Sequence, residues 1–149
     1  MPSLLSDEAA PQTRGRTLDH AAGVYDLLAP VMTLGQEGRY RRRALRLLGL
    51  RGHEHILDIG CGTGVLTRLL ARKLGDKENS LVVGIDAAPK MIRVARRHAA
   101  HLPNIRFDVG VAESLPYPDA SFDGAVSTFF YHHIDAELKR RSLAELRRV

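Results

Sequence analysis

Two aspartates and three glycines are the residues of this chain best spaced to act together. Asp58 lies in the apolar run Ile56-Leu57-Asp58-Ile59, which leads directly into Gly60-Cys61-Gly62-Thr63-Gly64. Asp86 closes a second apolar run, Leu81-Val82-Val83-Gly84-Ile85. Glycine lacks Cβ, so a loop with glycine at alternate positions turns sharply and lets a ligand lie against its backbone. A carboxylate at the end of the next strand can accept hydrogen bonds from both hydroxyls of a ribose. A dinucleotide fingerprint would carry its third glycine at position 65, and Val65 stands there. The spacing therefore points away from a dinucleotide and toward a ligand without a pyrophosphate. Asp86 taken alone also fits a plainer role, capping the helix that begins near Pro89.

Tyr131, His132 and His133 form a second group, following the fourth apolar run. A neutral imidazole there can take a proton from an acceptor such as a phenol. The plainer alternative packs one histidine under the following helix and leaves the other in solvent. No metal site is expected, because two adjacent histidines lack a third ligand at useful spacing. His53, Glu54 and His55 lie at the entry to the first strand, at its far end, and read as solvated loop residues. Cys61, the single cysteine, reads as a small loop residue with no base nearby to activate it. It also excludes an intrachain disulfide and fits a reducing, cytoplasmic compartment.

These groups need strands and helices in alternation to hold them. The pattern predicts strands at residues 55–59, 81–85, 105–109 and 123–129, with helices at 65–74, 89–101 and 135–149. The strands are nearly continuous apolar runs, as buried parallel strands are. The fold class is therefore α/β, a doubly wound parallel sheet. The last helix is amphipathic through Leu138, Leu143 and Leu146. Upstream, residues 18–28 read as a short helix ended by Pro30, and residues 37–48 as another. In that second helix Tyr40, Ala44, Leu47 and Leu48 are expected inward, with Arg39, Arg42, Arg43 and Arg46 largely outward. The division is a flexible tail at 1–17, helices at 18–50 on the lid or substrate side, and a cofactor domain at 51–149.

A chain of 149 residues fits one such domain. No apolar run reaches membrane-spanning length, and residues 1–12 carry acids rather than a signal-peptide core. The net charge of +5 comes largely from arginines on predicted helices. Such a surplus suits an anionic membrane surface, an acidic ligand or nucleic acid. No nucleic-acid motif accompanies it, so no nucleic-acid partner is expected. The first expectation is a solvated arginine-rich surface, with peripheral membrane contact as the alternative.

Residues 56–64 resemble motif I of the class I S-adenosylmethionine-dependent methyltransferases. Gly84-Ile85-Asp86-Ala87-Ala88-Pro89 is similar to their acidic second motif. Ala112-Glu113-Ser114-Leu115-Pro116-Tyr117, with Ser121-Phe122-Asp123, resembles their adenine-side loop and fourth strand. Tyr25-Asp26-Leu27-Leu28, Met32-Thr33-Leu34-Gly35 and the arginine-rich helix resemble the N-terminal helices of menaquinone and ubiquinone biosynthesis C-methyltransferases. They are also similar to some phospholipid N-methyltransferases.

The resemblance implies a Rossmann-like fold and S-adenosylmethionine as cofactor, leaving S-adenosylhomocysteine as product. It implies that Gly60, Cys61, Gly62, Thr63 and Gly64 form the floor under the methionyl part, with Asp58 orienting the loop and approaching the amino group. Asp86 would bind the ribose; Ala87 and Met91 would line the adenine, with the backbone at Ala112 and Glu113 closing its edge. Ser127 would present a carbonyl to the ammonium, and Tyr25 would fold over as a lid. Val111 departs from the pattern, since an aspartate often stands there to bind the adenine amino group. The implied sheet order is 3-2-1-4-5-7-6, of which this sequence carries the 3-2-1-4 half. That leaves the fourth strand as an apolar edge, expected to be covered by a second copy, by a swapped segment or by further chain. The implied activity is methyl transfer to a small apolar acceptor, a quinone precursor or lipid head group. The alternative is a non-catalytic cofactor-binding module or a truncated enzyme completed by a partner.

Overall fold

A computed structural model describes residues 37–75, 79–128, 130–131 and 134–149. The expected tail and first helix, Tyr25, His132 and His133 lie outside the described residues. The elements in chain order are α1 (Glu37–Leu47), β1 (His55–Ile59), α2 (Val65–Leu74), β2 (Leu81–Asp86), α3 (Pro89–Ala99), β3 (Ile105–Val109), β4 (Gly124–Val126) and α4 (Ala136–Arg148). The four strands form one parallel sheet in the order β3-β2-β1-β4. This is the expected half of a doubly wound sheet.

Both faces of the sheet are covered, which is why the strands are apolar on both sides. On one face Ile56 and Val82 pack with Leu66, Leu70, Ala71 and Leu74 of α2, joined by Leu45 and Leu48. Beside them Phe107 and Val109 of β3 meet Ile92, Ala95 and Ala99 of α3. On the other face Leu57, Ile59, Val83 and Ile85 pack with Leu115, Tyr117 and Val149. Pro89 opens α3, where a missing amide costs nothing. Asp135 caps α4 by accepting the Leu138 N–H at 2.8 Å. Asn104 donates to Ala71 O and Gly75 O at 2.9 and 2.8 Å, satisfying carbonyls at the end of α2.

Four expectations need correction. β4 spans Gly124–Val126 rather than residues 123–129. Its ladder to β1 covers only Ile56–Gly124, Leu57–Ala125 and Asp58–Val126, and then the Ser127 hydroxyl bonds Ile59 O at 3.0 Å. In α1, Tyr40 and Leu47 face outward, 50% and 77% exposed. The helix is rotated so that Leu45 and Leu48 take the core. Leu143 of α4 is likewise exposed, and the inward stripe runs through Leu138, Ser142 and Leu146. At the bottom of the sheet, Glu54 is more than a solvated loop residue, and His55 is the first residue of β1. The Glu54 carboxylate accepts amide N–H groups from Gly52 and His53, and that of Asp123 accepts from His55 at 2.8 Å.

Candidate functional site

The glycine loop leaves β1 and is pulled across the end of β2, because Gly60 N–H and Cys61 N–H both donate to Ile85 O at 2.9 and 3.1 Å. Gly60, Gly62 and Gly64 all have positive φ, at 66°, 54° and 75°, a region that glycine enters at little cost. Their surroundings differ. A Cβ on Gly64 would strike the Phe107 ring at 2.6 Å, and one on Gly60 would strike Phe130 at 2.6 Å. A Cβ on Gly62 would meet nothing within 4 Å. Gly64 is thus required for packing from beneath, whereas Gly62 presents backbone to open space. Gly84 in β2 makes the same kind of allowance, since a Cβ there would crowd Phe107 and the Cys61 sulfur.

Asp86 joins the loop to the second strand. Its Oδ2 accepts the Gly62 N–H and its Oδ1 the Ala88 N–H, each at 2.9 Å. The Ala88 bond shapes the turn ahead of α3, whose N-cap residue Ala88 has no side-chain cap, so the capping alternative raised by the sequence gives way to a direct tie to the glycine loop. Asp86 O also accepts the Gly110 N–H at 3.0 Å, which brings the third strand's exit to the same corner.

Asp58 is buried below the loop, 1% exposed, and accepts the Thr67 hydroxyl at 2.7 Å. Burial pushes its carboxyl up to about 7; the Thr67 hydrogen bond opposes the rise and the nearby Asp86 charge adds to it. Thr67, with no side-chain exposure to solvent, is a site residue that the sequence reading missed. Its signal was a hydroxyl in the first turn of α2, facing the strand it follows. Burial also pushes the Cys61 thiol above its ordinary value, helped by Asp86 and Asp58, so the sulfur stays protonated and is a poor nucleophile. Thr63 is buried, and its carbonyl accepts from Arg68 at 2.9 Å.

The adenine-side loop is fastened from a distance. Arg148 donates to Leu115 O at 2.9 Å, to Tyr117 O at 2.8 Å and to Asp119 at 2.9 Å. Glu145, paired with Arg148 at 2.8 Å, accepts the Leu115 N–H at 2.7 Å. From the sheet side, the Tyr117 hydroxyl donates to buried Asp108 at 3.0 Å. Arg106 also donates to that oxygen at 3.0 Å. Burial and the Asp108 charge push the Tyr117 hydroxyl well above its ordinary range, so it remains a donor. Within this loop Val111 and Ser114 form a bridge, Ala112 is buried and Glu113 half-buried. Glu145 and Arg148 were not foreseen; their only trace in sequence is a charged pair three residues apart on the last helix.

Other sequence candidates are placed as follows. Ala87 is half-buried beside Asp86, while Met91 is 2% exposed and packs with Ala88. Ser127 is tied to β1 through its hydroxyl. The Tyr131 hydroxyl shares a hydrogen bond with buried Ser142 at 2.8 Å. Among the described residues no group of three potential ligands could hold a metal ion. The structure thus gathers Asp58, the loop of residues 60–64 and Asp86 at the carboxyl end of the sheet. An open backbone at Gly62 beside a carboxylate fits a nucleoside cofactor whose hydroxyls need an acceptor.

Comparisons with known proteins bear on the family and the fold. A family model described as a methyltransferase domain matches residues 56–149. Demethylmenaquinone methyltransferase of Thermotoga maritima is 35% identical over 134 residues, 90% of this chain and 55% of that protein. The ubiquinone/menaquinone biosynthesis C-methyltransferase of Citrifermentans bemidjiense is 34% identical over 128 residues, 84% of this chain and 53% of that protein. A SAM-dependent methyltransferase structure from Methanosarcina mazei superposes with a TM-score of 0.62 at 33% identity, covering 70% of this chain and 51% of that one. The chain spans about half the length of the curated relatives it matches.

Proposed function

The chain belongs to the methyltransferase-domain family, and on that premise we propose that it binds S-adenosylmethionine and serves methyl transfer to a small apolar acceptor. The acceptor class is a quinone precursor or a lipid head group, in keeping with the quinone methyltransferases it resembles. The observation that carries this is the 2.9 Å bond between Gly62 N–H and the Asp86 carboxylate, which makes the loop and the acid one cradle. A carboxylate can accept about four hydrogen bonds, so holding two amides is compatible with receiving ribose hydroxyls.

The bound cofactor supplies an electrophilic methyl on a sulfonium. The chain's own residues bind and orient it. Gly60, Cys61, Gly62, Thr63 and Gly64 support the methionyl part, with Ser127 closing that end. Ala87, Met91, Val111, Ala112 and Glu113 border the adenine, and Tyr25 covers the cradle. Asp58, protonated in part near neutrality because it is buried, faces the amino end. His132 or His133 takes the acceptor's proton when a carbon or phenol must be activated. Residues 18–50 form the lid and acceptor side, and residues 51–149 the cofactor domain. The protein works in the cytoplasm in peripheral contact with a membrane, where a lipophilic acceptor is met. A second copy covers the outer side of β4, which pairs only with β1 among the described residues. A non-catalytic role is not favoured by the match to methyltransferases.

Calorimetric titration tests the cofactor: S-adenosylmethionine and S-adenosylhomocysteine should bind and NADH should not. Radiolabelled methyl transfer into quinone and lipid extracts tests the acceptor. Failure of both adenosyl ligands to bind would remove the proposal.

A further inference from the structure

The outward side of α1 combines two features that a merely solvated helix does not need together. Its sequence, EGRYRRRALRL, holds five arginines and, at Glu37, one acid. Arg39, Arg42, Arg43 and Arg46 are exposed. Beside them lie Leu47, 77% exposed, and Tyr40, 50% exposed. At 3.6 residues per turn, Arg42, Arg46, Arg39, Arg43, Leu47 and Tyr40 follow one another around roughly 160° of the helix. The apolar pair therefore sits on the flank of the basic stripe, while Leu45 and Leu48 on the opposite side hold the helix to the core.

We infer that this face of α1 docks on an anionic lipid bilayer. Arginine side chains lay their aliphatic stems along an apolar boundary while their guanidinium groups reach phosphates. An exposed leucine and tyrosine enter the head-group region, where an apolar body with a polar tip is favoured. Basic residues held near an anionic leaflet each contribute attraction that salt weakens. Two other occupants fit less well. A second copy docking by the same face would bring four arginines against the same four, and like charges oppose that pairing. A nucleic-acid backbone would use the arginines but leave Leu47 without a role.

This deepens the peripheral-contact part of the proposed function by naming its surface and its lipid charge. Because lipid binding is measured without cofactor or acceptor, its failure is distinct from failure of methyl transfer. The experiment is co-sedimentation of the whole chain with vesicles of phosphatidylcholine alone or mixed with phosphatidylglycerol. Binding is expected only to the mixed vesicles, and it should fall as salt rises. Arg43→Glu should weaken it more than about tenfold, since one attraction becomes a repulsion. Leu47→Ser, which leaves the charge unchanged, should weaken it about fivefold. Arg93→Glu, the same charge change at an exposed position of α3, should have a much smaller effect. Both α1 positions are exposed, so a retained thermal transition shows that the variants fold. Equal losses for Arg43→Glu and Arg93→Glu would overturn the inference. So would an unchanged Leu47→Ser variant, equal binding to neutral vesicles, or a pairing of copies that Arg43→Glu abolishes.

Discussion

The two loops that border the cradle are held in opposite ways. The glycine loop is fixed locally: its amides reach Ile85 O and Asp86, both at the end of the neighbouring strand. The loop that follows Gly110 is fixed remotely, by Glu145 and Arg148 at the end of α4 and by Tyr117 on Asp108. The first takes its shape as soon as β1 and β2 pair. The second needs α4 docked as well as β3 in place. Half of the cradle is therefore a property of the sheet, and the other half depends also on the last helix.

The largest test of that division is Asp86→Ala, which removes the link between loop and strand. It should weaken S-adenosylhomocysteine binding by roughly 1.5–3 kcal/mol, as expected for a charged acceptor lost to two hydroxyls. An unchanged dissociation constant would remove the ribose assignment. Asp58→Asn comes next and is read in pH. Burial raises the Asp58 carboxyl to about 7, so folding favours its protonated form. The stability it contributes is complete below about pH 4, declines as pH rises, and is gone once pH passes about 7. Thermal unfolding of Asp58→Asn should lose that slope between those limits, and a slope identical to the parent's would exclude Asp58 as its source. A cationic ligand group beside Asp58 would favour its ionised form, so S-adenosylmethionine binding should release protons at pH 6. Titration in two buffers of different ionisation enthalpy measures that release.

Glu145→Gln probes the remote loop. It should weaken S-adenosylhomocysteine binding about tenfold, on the scale of one lost charge-assisted hydrogen bond. Amide exchange should quicken at residues 112–117 and stay unchanged at residues 60–64. Equal quickening in both loops would erase the distinction drawn between them. Val111→Asp is the smallest effect. Restoring an acceptor for the adenine amino group should tighten binding by about 1 kcal/mol, visible as a lower dissociation constant.

The same division explains what could be read from sequence. Strand, glycine loop, helix, strand and Asp86 were legible because each depends on neighbours within one β-α unit. The clamp by Glu145 and Arg148 was not, because its partners lie about thirty residues away and nothing local marks the pairing. β4 was overestimated because Phe129 extends its pattern in sequence past Ser127 and Thr128, whereas beyond Val126 the bond to β1 comes from the Ser127 hydroxyl on Ile59 O. In α1, leucines at 45, 47 and 48 allow more than one inward face. Only packing against Ile56 and its neighbours selects Leu45 and Leu48.

One feature at the far side of the sheet has a bearing on assembly. Arg96 places its guanidinium on Phe107 O, with Nε at 3.2 Å and Nη2 at 2.7 Å, in the middle of β3. A charged group seated on that margin blunts it against a foreign strand. Among the described residues, growth by strand addition then has one open side, at β4. Two copies joined there would leave only stoppered margins outward, so association by this route ends as a pair and does not run on into a fibre.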